Sequence, residues 1–192
     1  PGRVHHVIVY PGLAAGDTST QPLRAFLSDL GYEVHGWYQG MNRGPRKGVL
    51  ARMQEQLTAV HRDAKEPVSL IGWSLGGVYA REMAKVAPKS VRNVITLGTP
   101  FSHGPRSTNA WRVYSALSGE SLPDEMMLRQ VSAAPPVPFT SVYSKTDGVV
   151  AWPASIQKPD ADNENIENIK VFASHLGIGA NPAAWFAIAD RL

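Results

Sequence analysis

Val68-Ser69-Leu70-Ile71-Gly72-Trp73-Ser74-Leu75-Gly76-Gly77-Val78-Tyr79-Ala80-Arg81 is the stretch around which the remaining sequence arranges itself. Its first four residues are a short apolar run of the kind that fills a buried strand. Gly72 to Gly76 then spell G-x-S-x-G, with serine at the centre. From Leu75 the pattern turns helical: Val78, Ala80, Met83, Ala84 and Ala87 are apolar, Arg81, Glu82 and Lys85 are polar, and Pro88 follows. Strand, tight turn and helix in that order form the context in which a serine is lifted off the end of a sheet. Such a turn forces the serine backbone into a strained conformation. A side chain at position 72 or 76 would collide with the neighbouring strand and helix, which accounts for the glycines. The turn also sets the Ser74 hydroxyl at a helix start, where backbone N–H groups can face a developing anion. The competing reading is a glycine-rich turn with an incidental serine; the flanking strand and helix argue against it.

On the N-terminal side, His5-His6-Val7-Ile8-Val9-Tyr10 reads as a strand stopped by Pro11-Gly12. A helix is expected over 21–30, with Pro22 in its first turn and Gly31 as its stop. A strand follows over 32–38, then a loop rich in glycine and arginine over 39–47. The stretch 48–64 is an amphipathic helix with Val49, Leu50, Met53, Leu57 and Val60 on one face. On the C-terminal side, strands are expected over 91–97, 139–144 and 169–173, and a last helix over 182–192 capped by Asn181. About six strands alternating with helices predict an α/β fold: a doubly wound, mainly parallel sheet with helices on both faces. The expectation is a single domain over 1–192. Residues 101–138, with weak helical patterns near 108–117 and 123–131, read as a surface excursion over the carboxyl edge of the sheet. The Pro-rich run 133–138 reads as a stiff connector into the strand at Phe139.

Bulk properties narrow the function classes. The chain has 192 residues, 43% hydrophobic and 18% charged, which is a globular composition able to bury a core. Its net charge of +3, from 19 basic and 16 acidic residues, is mild. No basic stripe with interleaved aromatics appears, so no nucleic-acid partner is expected. The absence of cysteine rules out disulfides and thiolate chemistry. No apolar run reaches membrane-spanning length, so no transmembrane segment is expected. Location stays open, leaning cytoplasmic because no signal peptide pattern begins the sequence, although Pro1 could follow a removed leader. Oligomeric state is not legible.

Ser74 needs a base and a carboxylate to orient it, and both occur at strand ends. Asp147 lies just past the strand 139–144, and His175 just past the strand 169–173. The chain order is Ser, Asp, His. A neutral hydroxyl is a poor nucleophile, so His175 would take its proton during attack and return it to the leaving group. Asp147 would fix the imidazole tautomer and stabilise the imidazolium. The oxyanion needs donors already in place. Leu75 N–H is one, and the loop after the first strand offers Leu13 N–H, with Gly12 allowing close backbone approach. Taken singly, Asp147 could be an Asx-turn residue and His175 a surface histidine; their joint placement carries the assignment. His103 could line the pocket, but its place in the order is wrong. Gly12, Trp73, Phe101 and Trp152 are candidate substrate-binding residues, and Trp111 is a further candidate for an acyl pocket. Packing is the alternative for Trp73, as for Trp185.

Two further signals carry less. Asp160-Ala161-Asp162-Asn163-Glu164-Asn165 superficially resembles a calcium loop but lacks the glycine and the bidentate glutamate, so no metal is expected. Arg43, Arg46 and Lys47 could attract an anionic substrate tail, against the ordinary reading of a solvated basic loop.

The motif set resembles small α/β-hydrolases of the lipase/esterase type. Gly72-Trp73-Ser74-Leu75-Gly76-Gly77 resembles that family's nucleophile motif, and Leu97-Gly98-Thr99-Pro100 its strand end after the elbow helix. Ser144-Lys145-Thr146-Asp147-Gly148-Val149-Val150 and Ser174-His175-Leu176-Gly177 resemble its acid and base turns. The match runs in order from His6 to Leu192. It departs where the family usually has His-Gly after the first strand and Tyr10-Pro11-Gly12 stands here; a backbone donor does not need that histidine. There is also little room for a cap domain, as in lid-poor lipases. The resemblance implies serine-dependent hydrolysis of a small-molecule acyl ester through an acyl-enzyme, with no cofactor. A thioesterase or acyltransferase using the same triad is the alternative, and a catalytically silent binding module is a third.

Overall fold

The computed structural model describes residues 4–102, 131–159 and 163–192. Six strands form one sheet: β1 (His6–Tyr10), β2 (Glu33–His35), β3 (Val68–Trp73), β4 (Val91–Leu97), β5 (Phe139–Ser144) and β6 (Ile166–Val171). Their order is β2-β1-β3-β4-β5-β6, and every pairing is parallel. Chain order reverses between β1 and β3, so the crevice beyond their carboxyl ends is the switch point of the sheet.

Among the described residues, α1 (Asp17–Asp29), α2 (Val49–Ala64), α3 (Leu75–Val86) and α4 (Pro182–Arg191) cover the faces. Side chains alternate across each strand, so two cores form. Ile8, Tyr10, Leu70 and Val94 meet Met53 and Leu57 of α2 and Tyr79 and Met83 of α3 on one face. Val7, Val9, Ile71, Ile95 and Val142 meet Leu23 and Leu27 of α1 and Ala184 and Ile188 of α4 on the other. Burial on both faces is why Val68 to Ile71 of β3 and Val94 to Leu97 of β4 lack a polar-out alternation.

β4 and β5 match the expected 91–97 and 139–144, and α4 starts as expected. Asn181 Oδ1 caps α4 by accepting from Ala183 N–H at 2.9 Å and Ala184 N–H at 3.1 Å. Three boundaries differ from expectation. Helix α1 begins at Asp17, not at residue 21, so Pro22 lies inside it on an exposed side. Strand β2 stops at His35, because Trp37 N–H and Tyr38 N–H turn to the Asp17 carboxylate at 2.8 and 3.0 Å. Strand β6 runs 166–171 and not 169–173, because Ala173 N–H bonds Ser144 Oγ at 3.2 Å in place of a ladder carbonyl.

Arg81 of α3 is fully buried in the first core. Its guanidinium carbon lies 3.9 Å from the centre of the Phe101 ring and 4.7 Å from that of Phe139. Nη2 donates to Ala133 O at 2.8 Å and Gln157 Oε1 at 2.9 Å, with longer contacts to Val131 O and Ser132 O. Burial pushes its pKa down to about 9, so it stays protonated at neutral pH. Arg81→Ala leaves a cavity and unpaired carbonyls, and is expected to cost about 2–5 kcal/mol in urea unfolding. Arg81→Met refills the space without a charge and is expected to lose clearly less.

The described ends of the expected 101–138 excursion are anchored. Asn163 Nδ2 bonds Pro135 O at 2.8 Å and Val137 O at 2.7 Å, holding the proline-rich connector. The helical patterns near 108–117 and 123–131, His103, Trp111 and the first three residues of the acidic loop fall outside the described residues, Val131 excepted. Among the described residues no helix is long and apolar enough to cross a membrane, and no group of three or more His, Asp or Glu side chains is placed to hold a metal ion.

Candidate active site

β3 delivers Ser74 into a turn with φ 53° and ψ −119°, a strained conformation for a residue with a side chain. Surrounding bonds hold it there: Ser74 N–H donates to Leu97 O at 2.9 Å and Gly77 N–H to Ser74 O at 3.0 Å. The neighbouring glycines are demanded by space. A Cβ at Gly72 would lie inside contact distance of Gly76 O, and one at Gly76 would meet Tyr10 O.

Two turns bring the remaining groups to Ser74. Asp147, after β5, accepts from Val149 N–H at 2.9 Å and Val150 N–H at 2.6 Å through Oδ1, which fixes its carboxylate. Its Oδ2 lies 2.8 Å from His175 Nδ1, and His175 Nε2 lies 3.0 Å from Ser74 Oγ. Asp147 O also accepts His175 N–H at 2.8 Å, so the two turns are tied by backbone as well as side chain. The three residues are 5–7% exposed, a dry setting that strengthens the contacts. Gly98, at φ 53°, lies under the pair: a Cβ there would be 3.0 Å from Asp147 Oδ2 and 3.3 Å from His175 Nδ1.

The loop after β1 packs against the serine turn: a Cβ at Gly12 would sit 3.4 Å from Ser74 Cβ and 3.5 Å from Trp73 O. Leu13 N–H has no acceptor among the described residues, whereas Ala14 N–H and Ala15 N–H bond Asn42 O and Gly12 O. Leu75 opens α3, so its N–H is among those that a helix leaves without an internal acceptor.

The candidate substrate-binding aromatics divide. Trp73 packs in the second core and donates from Nε1 to His175 O at 3.1 Å, bracing the histidine turn. Trp152 begins a 3-10 turn after Asp147, stacks on Tyr143 with centroids 6.0 Å apart and is 38% exposed. Phe101 does not line an open pocket: it is 3% exposed, wedged between Arg81 and Phe139. Asn42 and Tyr79, joined by a hydrogen bond beside the loop after β1, carry no functional signal in the sequence. A lone asparagine in a glycine- and arginine-rich loop carries no sequence signature.

A family model described as palmitoyl protein thioesterase matches residues 6–134. Among solved structures, lipase B of Aspergillus fumigatus aligns with a TM-score of 0.75 and 20% identity, over 95% of this chain. This chain spans 50% of that lipase's length. The mouse α/β-hydrolase domain-containing protein 10 gives a TM-score of 0.64 and 17% identity, covering 100% of this chain and 89% of the mouse chain. The thioesterase domain from the curacin biosynthetic pathway gives 0.64 and 14%, over 98% and 90%. At these identities the structural likeness is one of fold. No curated protein sequence matches the chain.

Proposed function

This chain belongs to the palmitoyl protein thioesterase family and has the α/β-hydrolase fold, and from that premise we propose that it hydrolyses carboxylic esters or thioesters through a Ser74 acyl-enzyme. The continuous contact chain Asp147 Oδ2, His175 Nδ1, His175 Nε2, Ser74 Oγ, with links of 2.8 and 3.0 Å, supports the reading most directly. His175 Nε2 takes the hydroxyl proton as Ser74 Oγ attacks the acyl carbonyl, and Asp147 holds the imidazolium that forms. The oxyanion is received by Leu75 N–H and Leu13 N–H. Collapse breaks the bond to the leaving group, and His175 returns the proton to it. Water, deprotonated by the same imidazole, then attacks the acyl-Ser74 carbonyl, and the acid leaves with Ser74 restored.

Ester and thioester differ at the leaving group. A thiolate, the conjugate base of a thiol of pKa about 8.5, departs with little help, whereas an alkoxide needs the proton from His175. The family match favours a thioester as the second reading. The test compares p-nitrophenyl esters and acyl-CoA thioesters over one series of chain lengths, with Ser74→Ala as control. Turnover of either class that vanishes in the control supports the proposal, and the ratio of kcat/KM values assigns the class. A folded wild type that turns over neither, and takes no label from a fluorophosphonate, would leave the silent binding module standing.

A further inference from the structure

Asn42 is wholly buried, yet no step of the proposed chemistry uses it. All its polar groups are engaged, and they divide between two neighbours. On one side Nδ2 donates to Pro11 O at 2.9 Å, Asn42 O accepts Ala14 N–H at 2.7 Å, and Asn42 N–H donates to Ala15 O at 2.7 Å. These bonds bracket Gly12, which packs against Ser74, and Leu13 beside it. On the other side Oδ1 accepts Gly44 N–H at 3.1 Å and the Tyr79 hydroxyl at 3.3 Å. Tyr79 lies on α3, one turn after Leu75 and on the same face. The amide orientation is dictated by its partners, because Pro11 O can only accept and Gly44 N–H can only donate. One side chain thus joins the loop carrying the Leu13 donor to the helix carrying the Leu75 donor.

The loop needs such a tie. Ala14 sits at φ 59°, an uncommon state for a residue with a side chain, and the two backbone bonds to Asn42 hold it there. Trp37 stacks parallel on Tyr79 with centroids 6.5 Å apart, and its Nε1 donates to Gly40 O at 2.8 Å, so the support continues outward. Asparagine suits the place chemically. Its amide presents a donor and an acceptor to opposite sides, whereas aspartate would set a carboxylate against the Pro11 carbonyl and alanine would leave both sides unpaired.

We propose that Asn42 is a positioning residue that sets the aim of Leu13 N–H relative to Leu75 N–H, and so tunes stabilisation of the oxyanion. The inference rests on the acyl-enzyme reading given above. It predicts a loss specific to the transition state: uniform binding of substrate is untouched, while the anionic tetrahedral species loses a well-placed donor.

The test uses the whole chain as wild type, Asn42→Ala, Asn42→Asp and Tyr79→Phe. Active sites are titrated with a fluorophosphonate, so every rate is expressed per competent serine. Three quantities are compared: kcat, KM, and the inhibition constant of an alkyl boronic acid, whose tetrahedral adduct places an anionic oxygen in the donor pair. Since removing an oxyanion donor outright costs about 10²–10³ in turnover, mispositioning one is expected to lower kcat by about 10- to 100-fold in Asn42→Ala. KM should change by less than about twofold, boronate inhibition should weaken in proportion to kcat, and Tyr79→Phe should move the same way by a few-fold. A residue of purely structural importance would lower the titratable fraction and leave kcat per site unchanged; that result would overturn the inference. Should Asn42→Ala yield no titratable enzyme, Asn42→Asp and Tyr79→Phe decide by the same criterion. A folded wild type that neither titrates nor turns over would sink the acyl-enzyme reading itself, which is a different failure.

Discussion

Ser74→Ala is expected to lower kcat on the best ester or thioester substrate by about 10⁵- to 10⁶-fold while the protein stays folded. The size of the loss follows from what is removed. In the proposed mechanism Oγ forms the acyl bond, and His175 Nε2 faces it at 3.0 Å, so the variant has no nucleophile for the imidazole to activate. A residual rate above that in water is expected to persist, because backbone donors at Leu75 and Leu13 do not depend on the serine side chain. The fold is spared, since alanine accepts the same backbone conformation as serine and the turn is held by Ser74 N–H on Leu97 O. Initial rates and fluorophosphonate labelling, read beside a thermal melt, check this. A variant retaining more than about a hundredth of wild-type turnover, with an unchanged melt, would remove Ser74 from the mechanism.

Gly76→Ala is expected to damage folding severely. A Cβ there would fall inside contact distance of Tyr10 O and 2.7 Å from Pro11 O. Both are backbone atoms where β1 passes into the loop beside the serine turn, and neither can swing aside as a long side chain would. Either α3 withdraws from the sheet, disrupting packing of Tyr79, Ala80 and Met83 in the first core, or the loop after β1 shifts off Ser74. The expected loss exceeds about 3 kcal/mol, measured as a shift of the urea midpoint, with activity falling even in whatever fraction still folds. A variant of wild-type stability and turnover would show that α3 and β1 approach each other less closely than these distances require.

The elbow was legible in the sequence because it is a local device. Gly72 to Gly76, an apolar run before them and a helical period after them state the geometry within a dozen residues. β4 and β5 were legible because each is a short run rich in β-branched and aromatic residues, Val91, Val94, Ile95 and Thr96 in one and Phe139, Thr140, Val142 and Tyr143 in the other. Element ends were less so, for a reason visible in particular atoms. The Asp17 carboxylate takes the N–H groups of Trp37 and Tyr38, and Ser144 Oγ takes that of Ala173. In each case a side chain distant in sequence replaces a ladder partner, and no local pattern announces it. Asp147 and His175 could be set beside Ser74 from the sequence because each follows a strand at the same edge. Position alone misled at Phe101, which follows β4 but turns inward to cover the guanidinium of Arg81. Asn42 was out of reach for the same reason as the strand ends: its partners, Pro11 O and the Tyr79 hydroxyl, are 31 and 37 residues away in opposite directions.

The all-parallel sheet also bears on how the protein comes into being. No two adjoining strands can be closed by a tight hairpin, so each pairing waits on a long excursion of chain, and such topologies acquire their order slowly. Ser74 and His175 are 101 positions apart, and β6, which precedes the histidine, lies at the far rim beside β5. A refolding chain could recover its helices and much of its collapse while still chemically inert. The onset of turnover then clocks the docking of the final strand, and would trail the return of circular dichroism instead of coinciding with it.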